Sequence, residues 1–393
     1  MKCVSLVFCF TALLLAISVA DVRGECKLSL QDDFKKPAPV YIKDGVFLAP
    51  NPAGDIRLRK SETLAVACPG NKRRVVLGNV TISLDVVEAS CVSNTTFRVG
   101  QWLGPFKSIT CNVQPWFSTQ EVKGGCGRGN QLHRVGYQIE SVFFSVYEAC
   151  FDPSLVRTVY VRHELTPASV FFQKGQQRPQ FTEGTLFGKV RMSKLYSMKN
   201  QKERVQELVG DVADQYITKK EFLSRGHLAA RADFSLRACQ VATFHYVNTA
   251  PQWQRGNAGD WAALEEALKR RISALGRPVT VYTGTHGVMS FGSHKELYLT
   301  ADDNNNGIVP VPLYLYKLVF DPLTRKAVVF VSINSPFYNS TITDQLTFCE
   351  DVCERKEYSW LTWRDDGTTS FCCNYNDAKV FHLPKLPVSG LFY

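Results

Sequence analysis

The segment with the most chemical capacity runs from Ser224 to Glu265. It holds Ser224-Arg225-Gly226-His227, then Asn248-Thr249-Ala250-Pro251-Gln252, then Asn257 and Glu265. A histidine nitrogen can be neutral near pH 7 and accept a proton. An asparagine carbonyl oxygen suits a hard divalent cation. Asn257 and Glu265 are eight residues apart, a little over two helical turns, so both can face one side of a helix that Asn257 opens. Arg225 offers a planar fork to phosphate. A base, a cation-binding oxygen and a phosphate fork are what phosphodiester hydrolysis needs, since water must be activated and transition-state charge offset. The plainer alternative makes His227 an ordinary polar side chain and Asn257 a helix cap. Spacing alone does not choose between them.

These residues need a frame. Strands are expected at Ser141 to Tyr147, Arg157 to His163, Ala242 to Val247, Val279 to Thr283, Leu313 to Phe320 and Ala327 to Ile333. A helix-permissive polar stretch runs from Asn200 to Val212. Trp261, Leu264, Leu268, Ile272 and Leu275 recur at helical spacing, with Asp260 at the start and Gly276 and Pro278 at the end. Upstream, residues 25–140 are dense in Cys, Gly and short apolar runs (Arg74 to Leu77, Val80 to Val86, Phe97 to Val99), a pattern of disulfide-held strands. The expectation is an α+β chain: a small disulfide-rich β domain over 25–140, then a larger domain over 141–393 with a central antiparallel sheet.

Composition narrows the setting. The 393 residues are 45% hydrophobic and 21% charged, which excludes a disordered chain. Lys2, the apolar run Val4 to Val19 and the small residues Ser18-Val19-Ala20 read as a secretory signal peptide over 1–24. Its removal takes the net charge from +10 to +9. So basic a secreted protein favours anionic partners, with no membrane span expected. Of thirteen cysteines, Cys3 and Cys9 leave with the signal. Eleven remain, so most should pair and at least one should not. Six of them, Cys26 to Cys150, fit three internal bridges of open connectivity. Cys349, Cys353, Cys372 and Cys373 are read as disulfide cysteines rather than zinc ligands, because adjacent cysteines fit one tetrahedral metal badly. Asn79, Asn94 and Asn339 head glycosylation sequons and are expected on the surface.

Arg225-Gly226-His227, with the order Asn248-x-x-Pro251-Gln252, Asn257 and Glu265, resembles the DNA/RNA non-specific endonucleases, the Serratia-type ββα-metal nucleases. Thr283-Gly284-Thr285-His286-Gly287, Pro310-Val311-Pro312 and the Cys-rich tail resemble its secreted insect and crustacean branch, which includes salivary and digestive nucleases. The resemblance covers roughly residues 141–393. It implies a ββα-metal nuclease domain that hydrolyses DNA and RNA through backbone-directed binding. His227 would be the general base. Asn257 would be the direct protein ligand of one Mg²⁺, with Mn²⁺ as a substitute, and Glu265 would hold a water of the metal shell. Asn248 would orient the base or the site, and Arg225 would offset transition-state charge. Ser224 departs from the family's Asp. The family's upstream phosphate cation has three candidates here: Arg191, Lys194 and Arg204.

Other features are read as structural. Asp302-x-Asn304-x-Asn306-Gly307 lacks the closing acid of a calcium loop and reads as a turn. Lys72-Arg73-Arg74 reads as a solvated basic turn. His286 and His294 read as strand-end or loop residues, His163 and His245 as core or edge histidines, and Trp261 as core. Trp253 is expected to be open and available to substrate. The rivals to an enzyme are a secreted nucleic-acid-binding protein on a weakened nuclease scaffold, or a binder of anionic polysaccharide. The DNA-versus-RNA preference, the oligomeric state and the role of the leading domain are not legible in the sequence.

Overall fold

The computed structural model describes residues 24–393 apart from Gln176, Ser293, His294 and His382. The expected signal segment, but for Gly24, and His294 lie outside the described residues. The centre of the fold is an antiparallel sheet. Its strands are β1 (Ser118–Val122), β2 (Gln131–Ile139), β3 (Val142–Asp152), β4 (Arg157–Leu165), β7 (Val279–His286), β8 (Tyr314–Asp321), β9 (Lys326–Ile333) and β10 (Thr369–Cys373), hydrogen-bonded in that order. A ninth strand, β11 (Gly390–Leu391), pairs parallel to β9. Between β4 and β7 the chain leaves the sheet to form the hairpin β5 (Leu223–His227) and β6 (Thr249–Trp253). Helices α1 (Met198–Val209), α2 (Arg237–Ala242), α3 (Gln254–Ala258) and α4 (Asp260–Leu275) lie in the same stretch.

Strand alternation sets the layers. In β8, Leu315 and Val319 join the large core that contains Trp261, Leu264, Leu268 and Ile272 of α4, while Tyr314, Tyr316, Leu318 and Phe320 join a separate core under the tail. Side chains two apart share a face, so Lys317 falls among the residues under α4. Both faces of β8 and β9 are covered, which is why they read as unbroken apolar runs.

The leading region forms its own core around Leu28, Val66, Phe97 and Phe106, stapled by Cys26–Cys91 and Cys68–Cys111. Cys126–Cys150 ties the β1–β2 connection to β3. In the tail, Cys349 pairs with Cys373 and Cys353 with Cys372. Cys239 is free and buried, the odd cysteine expected. The expected division at 140/141 is the turn of the β2–β3 hairpin, and the sheet extends back to Ser118. Asn79, Asn94 and Asn339 are exposed. The Asp302 carboxylate accepts from the backbone of Asn304 and Asn306, closing a turn between two short strands as expected.

Two expectations change. Ala242 to Val247 is not a strand: it is the end of α2 followed by a 3₁₀ turn (Tyr246–Asn248), and its sheet pairing shrinks to one bridge between His245 and Thr182. Phe244, Tyr246 and Val247 are buried in a loop packed from several sides, and a short apolar run looks the same in either setting. Trp253 is not open. It is fully buried, its indole N–H points at Met289 Sδ (3.0 Å), and Phe337 meets it edge-on with ring centroids 4.9 Å apart. Trp253→Ala should therefore cost about 3–5 kcal/mol of stability in urea unfolding. A loss below about 1 kcal/mol would return Trp253 to the surface.

Candidate active site

β5 and β6 are held in one register, with Ser224 opposite Gln252 and His227 opposite Thr249. Gly226 is required at the close approach: a methyl there would sit 2.3 Å from Gln252 Oε1, and Gln252 is buried. β6 runs directly into α3 and then α4, so two strands and a helix bring the predicted residues together. His227, Arg225, Asn257 and Glu265 line one cleft of about 1060 Å³, together with Ser224, Arg178, Arg231 and Phe181.

His227 closes β5 between the rings of Phe181 and Phe244, with centroids 5.2 and 5.0 Å away. The residue keeps some surface on the cleft, yet Nε2 itself is enclosed and has no hydrogen-bond partner among the described residues. Burial lowers its pKa to about 4; Arg178 and Arg231 add to the shift, and a hydrogen bond with the Arg225 backbone opposes it. With Nε2 unpartnered among the described residues, the Arg225 bond falls to the ring's other nitrogen, and Nε2 is the one left to accept a proton. His227 is thus a neutral acceptor at any pH near 7.

Arg225 is held by aromatic rings. Its guanidinium lies 5.1 Å from the Tyr196 ring, 5.6 Å from Tyr246 and 5.7 Å from Phe181, and Nε donates to Tyr246 Oη at 3.0 Å. It makes no ion pair among the described residues, so its charge stays available to an anion. Of the expected upstream cations, Arg191 pairs with Glu183 and Arg204 with Glu207, and neither these nor Lys194 line the cleft. Arg178, which no spacing signal marked, is exposed in the cleft and close enough to depress His227.

Asn248 lies behind the site. It is fully buried: Nδ2 donates to the Ala229 and Thr243 carbonyls, and Oδ1 accepts from the Ala229 amide at 2.8 Å. It ties the residues after His227 to the 243–248 loop and touches no cleft space.

Asn257 sits on α3. Its Nδ2 donates to Ser224 Oγ at 3.0 Å, and Ser224 Oγ–H donates to the Gln252 carbonyl at 2.9 Å. Because the Ser224 proton is committed to that carbonyl, Oγ can only accept from Asn257. This fixes the amide's orientation and leaves Oδ1 for the cleft. Ser224 thus has a defined task, which the sequence reading had not assigned. Glu265, on α4, is half-buried. Desolvation pushes its carboxyl up to about 7, against the opposing charges of Lys317 and Lys269 and with Asp233 and Glu266. Behind it Lys317 is buried, donating to Thr283 Oγ1 (2.7 Å) beneath the Trp261 ring. Asp233 bridges His163 (2.9 Å) and Lys269 (3.5 Å), and His163 is a core histidine as expected, held through Nε2 while Nδ1 has no partner among the described residues.

The donor set fits a hard divalent cation: one locked amide oxygen, a carboxyl nearby and room for water. Another cluster among the described residues, Asp351, Cys353 and Cys372, has its ligand atoms within 4.8 Å. Both cysteines are in a disulfide there, so it does not bind metal as thiolates.

The tail secures the start of α4. Asp366 Oδ2 accepts from the Asp260 amide at 2.7 Å, capping the helix with a carboxylate supplied from outside it. Arg364 donates to the Ala258 carbonyl (2.8 Å) and to Glu266 (3.1 Å). The strap lies directly on Gly259, where a methyl would be 1.7 Å from Asp366 Oδ2. The disulfides of the tail flank this strap, Cys353–Cys372 being the nearer in sequence.

Residues 128–378 match the family described as DNA/RNA non-specific endonuclease. The chain belongs to that family. It is a nuclease, a hydrolase of phosphodiester bonds, in a metal-dependent family of ββα-metal fold. It is 33% identical over 338 residues to the "Salivary endonuclease" of Lutzomyia longipalpis, covering 84% of this chain and 75% of that one. It is 24% identical over 389 residues to "Salivary protein Tsal1" of Glossina morsitans morsitans, covering 95% and 94%. A chain in the crystal structure of the EndoG/EndoGI complex aligns at 22% identity and a TM-score of 0.33, covering 52% of this chain and 76% of that one. Among the described residues of the endonuclease, no helix is long and apolar enough to cross a membrane.

Gly259→Ala should lift the strap, lose about 1–2 kcal/mol of stability as the cap is lost, and weaken Mn²⁺ binding in a direct titration. Unchanged melting and metal affinity would show that the strap does not govern the Asn257 helix.

Proposed function

We propose that the endonuclease cleaves DNA and RNA, double- and single-stranded, with little sequence preference and in a Mg²⁺-dependent reaction that Mn²⁺ also supports. The observation that carries this reading is His227: an imidazole neutral near pH 7, its Nε2 unpartnered among the described residues, on a cleft that also holds Arg225, Arg178, Asn257 and Glu265. His227 accepts the proton of the attacking water. The water oxygen bonds to phosphorus, and the bond from phosphorus to the leaving sugar oxygen breaks. Arg225 and Arg178 offset the charge that gathers on the non-bridging oxygens. Asn257 Oδ1 would hold the cation, with Glu265 fixing a water beside it. When bound, Mg²⁺ supplies Lewis-acid stabilisation of charge on the phosphate and leaving oxygens. Cations along the cleft address the backbone, which carries no sequence information.

Further proposals concern setting. Five disulfides suit an oxidising compartment. With relatives named as salivary, they support secretion into saliva, with glycosylation on the exposed Asn79, Asn94 and Asn339.

The test is plasmid nicking and double-stranded RNA digestion with Mg²⁺ or chelator. His227→Ala should lose about 10²–10⁴ in rate while keeping its affinity for DNA, and Asn257→Ala should lose direct Mn²⁺ binding. Wild-type cleavage by the first variant, or unchanged Mn²⁺ affinity in the second, would remove that residue from its role. Removing a neighbouring positive charge makes protonation easier, so Arg178→Ala should raise the His227 pKa from about 4 toward the ordinary 6.5. An NMR titration of the ring from pH 3 to 8 reads this directly, and an unmoved midpoint would place Arg178 away from the ring.

A further inference from the structure

The cleft has a wall that the family motif does not include, and the leading β region holds it in place. Phe171 is extended, and from there to Lys174 the side chains part to two sides. Gln173 points inward and is buried. Its Nε2 donates to the Phe34 carbonyl (3.3 Å), and its Oε1 accepts from the Arg237 amide (2.7 Å). Phe171 packs on the leading core. Phe172 and Lys174, between and after them, line the cleft.

Gln31, in the leading region, brackets this segment. Its Nε2 donates to the Phe172 carbonyl at 3.0 Å, and its Oε1 accepts from the Lys174 amide at 3.2 Å. One side-chain amide thus pairs with the backbone on either side of residue 173, as a neighbouring strand would. At the cleft the exposed Lys174 ammonium lies 5.7 Å from the Phe172 ring centroid, while the buried Lys269, paired with Asp233, lies 5.8 Å from the same centroid. An aromatic face beside a mobile ammonium matches the repeat of a nucleic-acid strand, one base to stack and one phosphate to pair.

We propose that Phe172 and Lys174 form a subsite for a nucleic-acid strand beyond the scissile phosphate, and that the leading domain, through Gln31, is its positioning element. The proposal rests on the cleft being the substrate cleft of the nuclease. The leading domain is then part of the substrate site rather than an appended module.

The experiment is fluorescence anisotropy of a labelled 20-nucleotide single-stranded DNA on the full chain in chelator, so that binding is read without turnover. Phe172→Ala and Lys174→Ala should each weaken binding about tenfold, and Lys174→Ala should also lower the slope of log K against log salt by about one. Gln31→Ala should weaken binding by a similar factor although its side chain only holds backbone. Thermal melting of each variant guards against misfolding, and the exposed Lys174 gives a variant with little risk of it. Wild-type affinity and salt slope in Phe172→Ala and Lys174→Ala would overturn the subsite. Losses in those two with none in Gln31→Ala would overturn the role of the leading domain. A wild-type chain that cleaves no diester in any divalent metal, yet shows all three binding losses, would refute the nuclease reading and leave the subsite standing.

Discussion

The site depends on one register. Ser224 stands opposite Gln252 because Gly226 lets the two strands approach with the Gln252 side chain between them. Slipping the pairing by one residue would turn every side chain of β5 to its other face. His227 would leave the cleft, Arg225 would leave its ring of Tyr196, Tyr246 and Phe181, and Ser224 would lose the carbonyl that sets its proton. The orientation of the Asn257 amide, and so which of its ends is left for the cleft, follows from the same pairing.

Charge is arranged in two tiers. In the open cleft, cations outnumber acids, and Arg178 and Arg231 add to the burial that keeps His227 neutral. Beneath it, Asp233 is buried between His163 and Lys269, and the buried Lys317 donates to the Thr283 hydroxyl. Buried charges are costly unless paired and hydrogen-bonded, and Asp233 and Lys269 meet that condition together. Glu265 lies at the boundary between the tiers. Its carboxyl sits near neutrality because burial outweighs the two lysines facing it.

Much of this was legible in the sequence for physical reasons. Periodicity marks α4 because its apolar face packs on one sheet, and Asp260 and Gly276 bound it. The order His227, Asn257, Glu265 was readable because all three sit on one short ββα unit, where sequence spacing is spatial spacing. Residues reached through tertiary packing left no such trace. Arg178 enters from a segment with no motif, and Asp366 caps α4 from 106 residues away. Trp253 looked open because a single tryptophan between polar neighbours carries no period, yet it is buried against Phe337 and Met289. Ala242 to Val247 read as a strand because an apolar run does not say whether one neighbour or several will cover it.

The cap supplied by Asp366 also orders events in time. A chain leaves the ribosome from its first residue onward, so Asp260 and Glu265 exist well before the carboxylate that secures their helix. That carboxylate is seated by a strap flanked by two disulfides, which close only where oxidation is possible. The helix that carries Glu265 thus receives its cap late in synthesis, from a strap whose flanking disulfides need an oxidant to close.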